Sequence, residues 1–217
     1  MKHLGWHFLP DDRRLRWNHK GKPLGPGSVR TTSAAPILCE QGLHWSANIR
    51  DALIYAPGSY VCRVEAWGNT VIGDDKGSSQ TRRILWSFDA EMVLWAFLCD
   101  VAEEALNVAN VTDERSWAAI SLRRDWLAGK DVSPDQWDAA NAAAWDAAWD
   151  ASWDASSAAA SAAARVAANA AAWVAANAAA WDASSAAARD AQNTLLESMI
   201  WAEARRLNIA DGKEQGE

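Results

Sequence analysis

Cysteine, tyrosine and phenylalanine are scarce in this chain: 3, 2 and 3 residues among 217. Cys39, Cys62 and Cys99 are odd in number and form no CxxC pair, which excludes a disulfide framework and a zinc knuckle and fits a reducing compartment. No apolar run approaches the roughly 20 residues that cross a bilayer. The opening MKHLGWHFLPDDRR lacks the apolar stretch of a signal peptide. These absences predict a soluble, cytoplasmic protein without a membrane partner. Glycine and proline are missing between Pro134 and Gly212, so that stretch holds none of the usual helix breakers.

Tryptophan, by contrast, occurs 15 times, and the formal net charge of −7 is unevenly spread. Residues 1–88 hold 12 Lys+Arg against 7 Asp+Glu, 89–134 hold 4 against 9, and 135–217 hold 5 against 12. A basic first segment favours an anionic ligand at that end of the chain. Duplex nucleic acid is not an expected partner.

Nine of the 12 glycines fall before residue 88, with short β-favouring runs between them, so residues 1–88 read as a small α+β domain rich in strand. Tyr60–Trp67 alternates as a strand does, and Asn48–Ala56 reads as a short helix stopped by Pro57-Gly58. Residues 89–132 read as two connecting helices. Ser87 or Asp89 caps the first, and the second runs from beyond Thr112 to Gly129. Ser133-Pro134-Asp135-Gln136 joins a serine N-cap, proline at the first helical position and glutamine three residues after the cap, a complete helix start. It opens an Ala/Trp-rich helical region over 133–210, followed by a flexible tail at 211–217. The expected fold class is thus α+β: a β-rich N-terminal domain, then a long helical region.

Within that region every fourth residue from Trp137 to Arg189 is Trp, Asn, Ser or Arg, mostly with alanine between. WDAANAAAWD at 137–146 returns as WVAANAAAWD at 173–182. The shift of 36 residues is ten turns at 3.6 residues per turn, which suits one long helix; DASS at 154–157 and at 182–185 would equally cap a helical hairpin. Each buried aromatic removes roughly 150–250 Å² from water. Trp137, Trp145, Trp149, Trp153, Trp173 and Trp181 on an alanine background therefore need a cover, either the preceding helices or another copy of the chain. Self-association into a homo-oligomer through these residues is expected.

All four histidines precede residue 45, among Arg13, Arg14, Arg16, Lys20, Lys22 and Arg30. Their spacing matches no zinc pattern, and no metal is expected. These residues could pair an anion with Arg or Lys while stacking a base on Trp45, which places a ligand cleft among His7, His44, Trp45 and the turn after Glu65.

The run CEQGLHWSANIRDALIYAPGSYVCRVEAWGNTVIGDDK at 39–76 resembles an uncharacterised phage and bacterial domain that precedes repetitive Ala-rich tails. The same stretch is similar, more weakly, to ADP-ribosyltransferase folds of the rifamycin ADP-ribosyltransferase kind. There an early histidine holds the NAD ribose, an aromatic stacks on nicotinamide, and an acidic residue follows a V-E-x-x-G strand. That resemblance implies His7 for the histidine, Trp45 for the aromatic where tyrosine is usual, and Asp74 or Asp75 after Val64-Glu65-Ala66-Trp67-Gly68. NAD or another nucleotide is the cofactor it implies. The reading favoured is a phage-type accessory protein of the bacterial cytoplasm. It assembles through its helices and binds a host protein or a nucleotide-like anion, as an antagonist of host defence would. An NAD-using ADP-ribosyltransferase and a structural virion component are the alternatives.

Overall fold

In the computed structural model the described residues are 1–15, 21–153 and 186–210, with backbone only at 148, 149 and 151–153. The chain divides into two units, Met1–Glu91 with Arg189–Glu217, and Met92–Ala188. The architecture is α+β: strands in the N-terminal region and helices after it.

The first unit contains β1 (His3–Leu9), β2 (Val29–Thr31), β3 (Leu43–Trp45), α1 (Ile49–Ile54), β4 (Tyr60–Ile72) and β5 (Gly77–Asp89). The strands run in the order β1-β4-β5-β2, all antiparallel, with β3 also on β5. β4 outruns the expected 60–67 because Gly73 donates to the Lys76 carbonyl and closes a tight hairpin around Asp74-Asp75. Immediately after β3, Ser46 exchanges both backbone hydrogen bonds with Trp6 of β1, at 2.8 and 3.0 Å. Segment 43–46 therefore touches β5 on one side and β1 on the other, closing β1-β4-β5 into a ring of strands.

Alternation sorts the side chains of this ring. His7, Cys62 and Ser87 lie in one rung facing inward, while Trp6, Arg63 and Trp86 lie in the next facing outward. Between these rungs and the rest of β5 the register shifts: Arg63 pairs with Trp86 but Val64 pairs with Ile84, leaving Leu85 as an extra residue. Such a bulge inverts the parity of everything beyond it. Arg82 and Ile84 accordingly share the inner face with Val64 and Ala66, although Trp86 and Phe88, of the same parity, lie outside. The inner cluster is Leu9, Leu24, Trp45, Cys62, Val64, Ala66 and Ile84.

The outer rung is covered by a helix from the other end of the chain, α5 (Ala186–Arg206), whose Leu196, Ile200, Trp201 and Ala204 are buried. Trp201 meets Trp6 and Trp86 edge-on, with centroids at 6.0 and 5.1 Å, and the Arg63 guanidinium lies 4.6 Å from the Trp6 centroid. Arg50 of α1 donates from its backbone to Asn193 and from Nε to Gln192. The 133–210 region expected as one helical body is thus shared between the units.

The second unit holds α2 (Glu91–Val108, from Met92), α3 (Glu114–Leu127) and α4 (Pro134–Trp153). Asp89, not Ser87, caps α2: its carboxylate accepts the Glu91 N–H, while Ser87 lies within β5, paired with Cys62. Asp113 caps α3 in the same way. The box at Ser133 forms as the sequence spells it, with Gln136 N–H donating to Ser133 Oγ and Ser133 N–H donating to Gln136 Oε1. α4 packs on α3 through alanines: Ala119 and Ala144 form a small buried cluster, and their lack of side-chain bulk lets the helices approach closely. Arg123 lies between the rings of Trp95 and Trp137, at 3.9 and 4.0 Å from their centroids. Trp137 also meets Trp126 edge-on, so it belongs to this packing. Trp145 points away and is 48% exposed. The side chains of Trp149 and Trp153, and all of Trp173 and Trp181, fall outside the described residues, as does the choice between one helix and a hairpin. Among the described residues no helix is long and apolar enough to cross a membrane.

Candidate functional site

A cavity of about 520 Å³ opens against the inner side of the first unit, walled by β1, residues 10–15, residues 39–46, α1, Lys76 and Arg82. Its volume lies in the usual range for small-molecule sites. Most of the wall is apolar, from Leu9, Leu15, Leu43, Ala52 and Pro57. Apart from Glu40 the polar wall is cationic or neutral. Arg82 is 4% exposed and donates to the carbonyl of His44. Among the described residues no carboxylate lies within ion-pair distance of it. Glu40, exposed, is the one carboxylate in the lining.

The two histidines are held neutral. Burial pushes the pKa of His7 well below the usual 6.5, and the charge of Arg82 and then His44 lower it further. His44 is lowered by burial, by Arg82 and by Lys76, against one backbone hydrogen bond that raises it. Its Nε2 accepts the Cys39 N–H at 3.1 Å, so that nitrogen carries no proton. Arg82 itself is pulled down by burial to about 10, which leaves it charged at neutral pH. The thiol of Cys62, opposite His7 in the sheet, is pushed up to about 12 by burial and stays protonated.

Because the folded state lowers the pKa of His7, the unfolded chain protonates first as pH falls. Stability is then complete above about 6.5 and declines as pH drops through that value toward the folded pKa. The urea midpoint should fall more steeply between about pH 8 and about pH 5.5 in the wild type than in His7→Gln. Equal slopes would show that His7 does not carry this linkage.

Of the residues expected to bind a ligand, His7, His44 and Trp45 line the cavity together. Trp45 does so as a packed wall: it is 5% exposed, stacks on His3 with centroids 5.3 Å apart, and donates from Nε1 to Ser79 Oγ. A Cβ on Gly5 or Gly77 would come within 2.6 or 2.7 Å of its ring. This packing fixes the ring in place as part of the cavity wall. Glu65 is not in the lining; it pairs with Lys2 at 3.0 Å and faces Arg83 at 4.0 Å. Asp74 is exposed in the hairpin turn, and Asp75 accepts the hydroxyl of Tyr55, which does line the cavity. Arg14 of the early basic run also lines it, whereas Arg16, His19 and Lys20 lie outside the described residues.

Arg82, Lys76 and Tyr55 were not legible as site residues from sequence. The hairpin after β4 brings Lys76 to the cavity mouth, where its ammonium sits 3.8 Å from the Tyr55 centroid. Only the bulge at Leu85 turns Arg82 inward. Among the described residues no group of three His, Cys, Asp or Glu is placed to hold a metal ion. No protein-family model matches the chain, and neither does any curated protein or solved structure.

Proposed function

We propose that the first unit binds a small organic anion, nucleotide-like in joining a charged group to an apolar, flat body, and that it binds this ligand without transforming it. The observation that carries the reading is Arg82: a buried guanidinium with no carboxylate partner among the described residues, at the wall of a cavity of ligand size. A buried charge is costly unless something of opposite sign meets it. An anion supplies that partner, and the apolar lining suits the rest of the ligand. Transfer of ADP-ribose finds less support, because Asp74 and Asp75 do not line the cavity and Glu65 is engaged by Lys2. Calorimetric titration with NAD, AMP and cyclic AMP tests the reading; binding of at least one is expected, and no binding by any of them would overturn it.

A second reading concerns assembly. Trp145, 48% exposed on an alanine-rich helix, favours self-association through α4 or a protein partner there. Sedimentation should give a mass above one chain for the wild type and a lower one for Trp145→Ala; a monomeric wild type at high concentration would remove this reading. A phage-type accessory protein that captures a host nucleotide would use both features.

A further inference from the structure

We infer that His7 takes up a proton when an anion docks beside Arg82, so that the cavity binds its ligand more tightly as pH falls. This rests on reading the cavity as an anion site, and its argument begins from who faces His7. Across the sheet stands Cys62, buried and uncharged; β5 contributes Arg82, and the segment leading into β3 contributes Cys39 and, from β3 itself, His44. Arg14 precedes the cavity floor, α1 adds Tyr55, the hairpin adds Lys76, and Glu40 lies exposed at the edge. Arg14 lies 3.9 Å from Asp12, and Asp75 stands beside Lys76 and accepts the Tyr55 hydroxyl, so among the described residues the cation near His7 with no carboxylate partner is Arg82.

In that surrounding the imidazole, partly exposed to the cavity, is held well below its usual range by burial first, then by the positive charge of Arg82 and by His44. A docked anion reverses the second. It screens Arg82 and offers His7 an acceptor, so the imidazolium gains an attraction where it had a repulsion. The reciprocal effect follows by linkage: whatever raises the proton affinity of His7 on binding must make binding tighter at lower pH. The dependence is confined to the range between the His7 pKa of the free protein and that of the complex. His44 contributes less, since its Nε2 is held by the Cys39 N–H.

The test follows the His7 ring resonances by NMR across about pH 5 to 8 in the full chain, free and with sulfate or cyclic AMP. Both probes keep their charge over that range, so any titration belongs to the protein. With a bound probe the His7 midpoint should rise by about 1 pH unit or more, equivalent to about tenfold tighter binding at low pH. In His7→Gln the pH dependence of binding should flatten, whatever the affinity that remains. If either probe shifts the Arg82 and His44 signals while the His7 midpoint stays put, the coupling is wrong and the anion site stands. If neither probe moves any of the three, the anion site itself is overturned and the coupling falls with it.

Discussion

Replacing Trp201 with alanine is expected to destabilise the first unit by about 3–5 kcal/mol, the usual cost of emptying a buried tryptophan site. The residue lies more than a hundred positions from the strands it covers, yet it is 2% exposed and meets both Trp6 and Trp86 edge-on. Arg63 lies 4.6 Å from the Trp6 centroid and 6.0 Å from that of Trp201, so removing Trp201 also takes away part of what surrounds a buried cation. A shorter side chain cannot refill the space, because Trp6, Arg63 and Trp86 are fixed in one rung by strand pairing. Urea unfolding followed by circular dichroism should show a lower midpoint with an unchanged slope. A loss below about 1 kcal/mol would mean that the terminal helix is an accessory to the sheet and not part of its core.

Arg82→Met should move affinity and stability in opposite directions. In the complex, Arg82 meets the anion away from water, and truncating one member of such a pair costs about 2–5 kcal/mol, roughly 30-fold to several-thousand-fold in Kd. In the free protein the same side chain is a charge buried at 4% exposure beside an apolar cluster, without a carboxylate among the described residues to offset it. Methionine fills similar space without that desolvation, and exchanges of this kind are commonly neutral or stabilising by about 1–4 kcal/mol. Melting of the free variant should therefore be unchanged or higher, while calorimetry with the nucleotide that the wild type binds should show little or no heat. A variant that melts much lower would make Arg82 a structural residue, held by the His44 carbonyl it donates to. Retained affinity would move the ligand elsewhere.

Local chemistry was legible in the sequence wherever it acts over a few residues. Ser133 to Gln136 spelled a capping box, Pro57-Gly58 ended α1, and Gly129, at φ 83°, ended α3. Alanine's helix propensity and the absence of breakers placed α4 and α5 in helix. Of the residues named together from sequence, His7, His44 and Trp45 line one cavity, whereas Glu65 lies outside it and pairs with Lys2. The tertiary structure decided the rest. Alternation along β5 assigns Arg82 to the same face as Trp86, and only the extra residue at Leu85, set by the pairing with Arg63 and Val64, turns it inward. Trp45 reads equally as a stacking platform or a core residue until Gly5, Gly77 and His3 are seen packed against it. The place of Trp201 depends on a rung of side chains contributed by β1, β4 and β5, far away in sequence. Caps and propensities act within one or two turns of chain, whereas strand register and ring packing depend on which distant residues become neighbours, and those neighbours exist only once the chain has closed on itself.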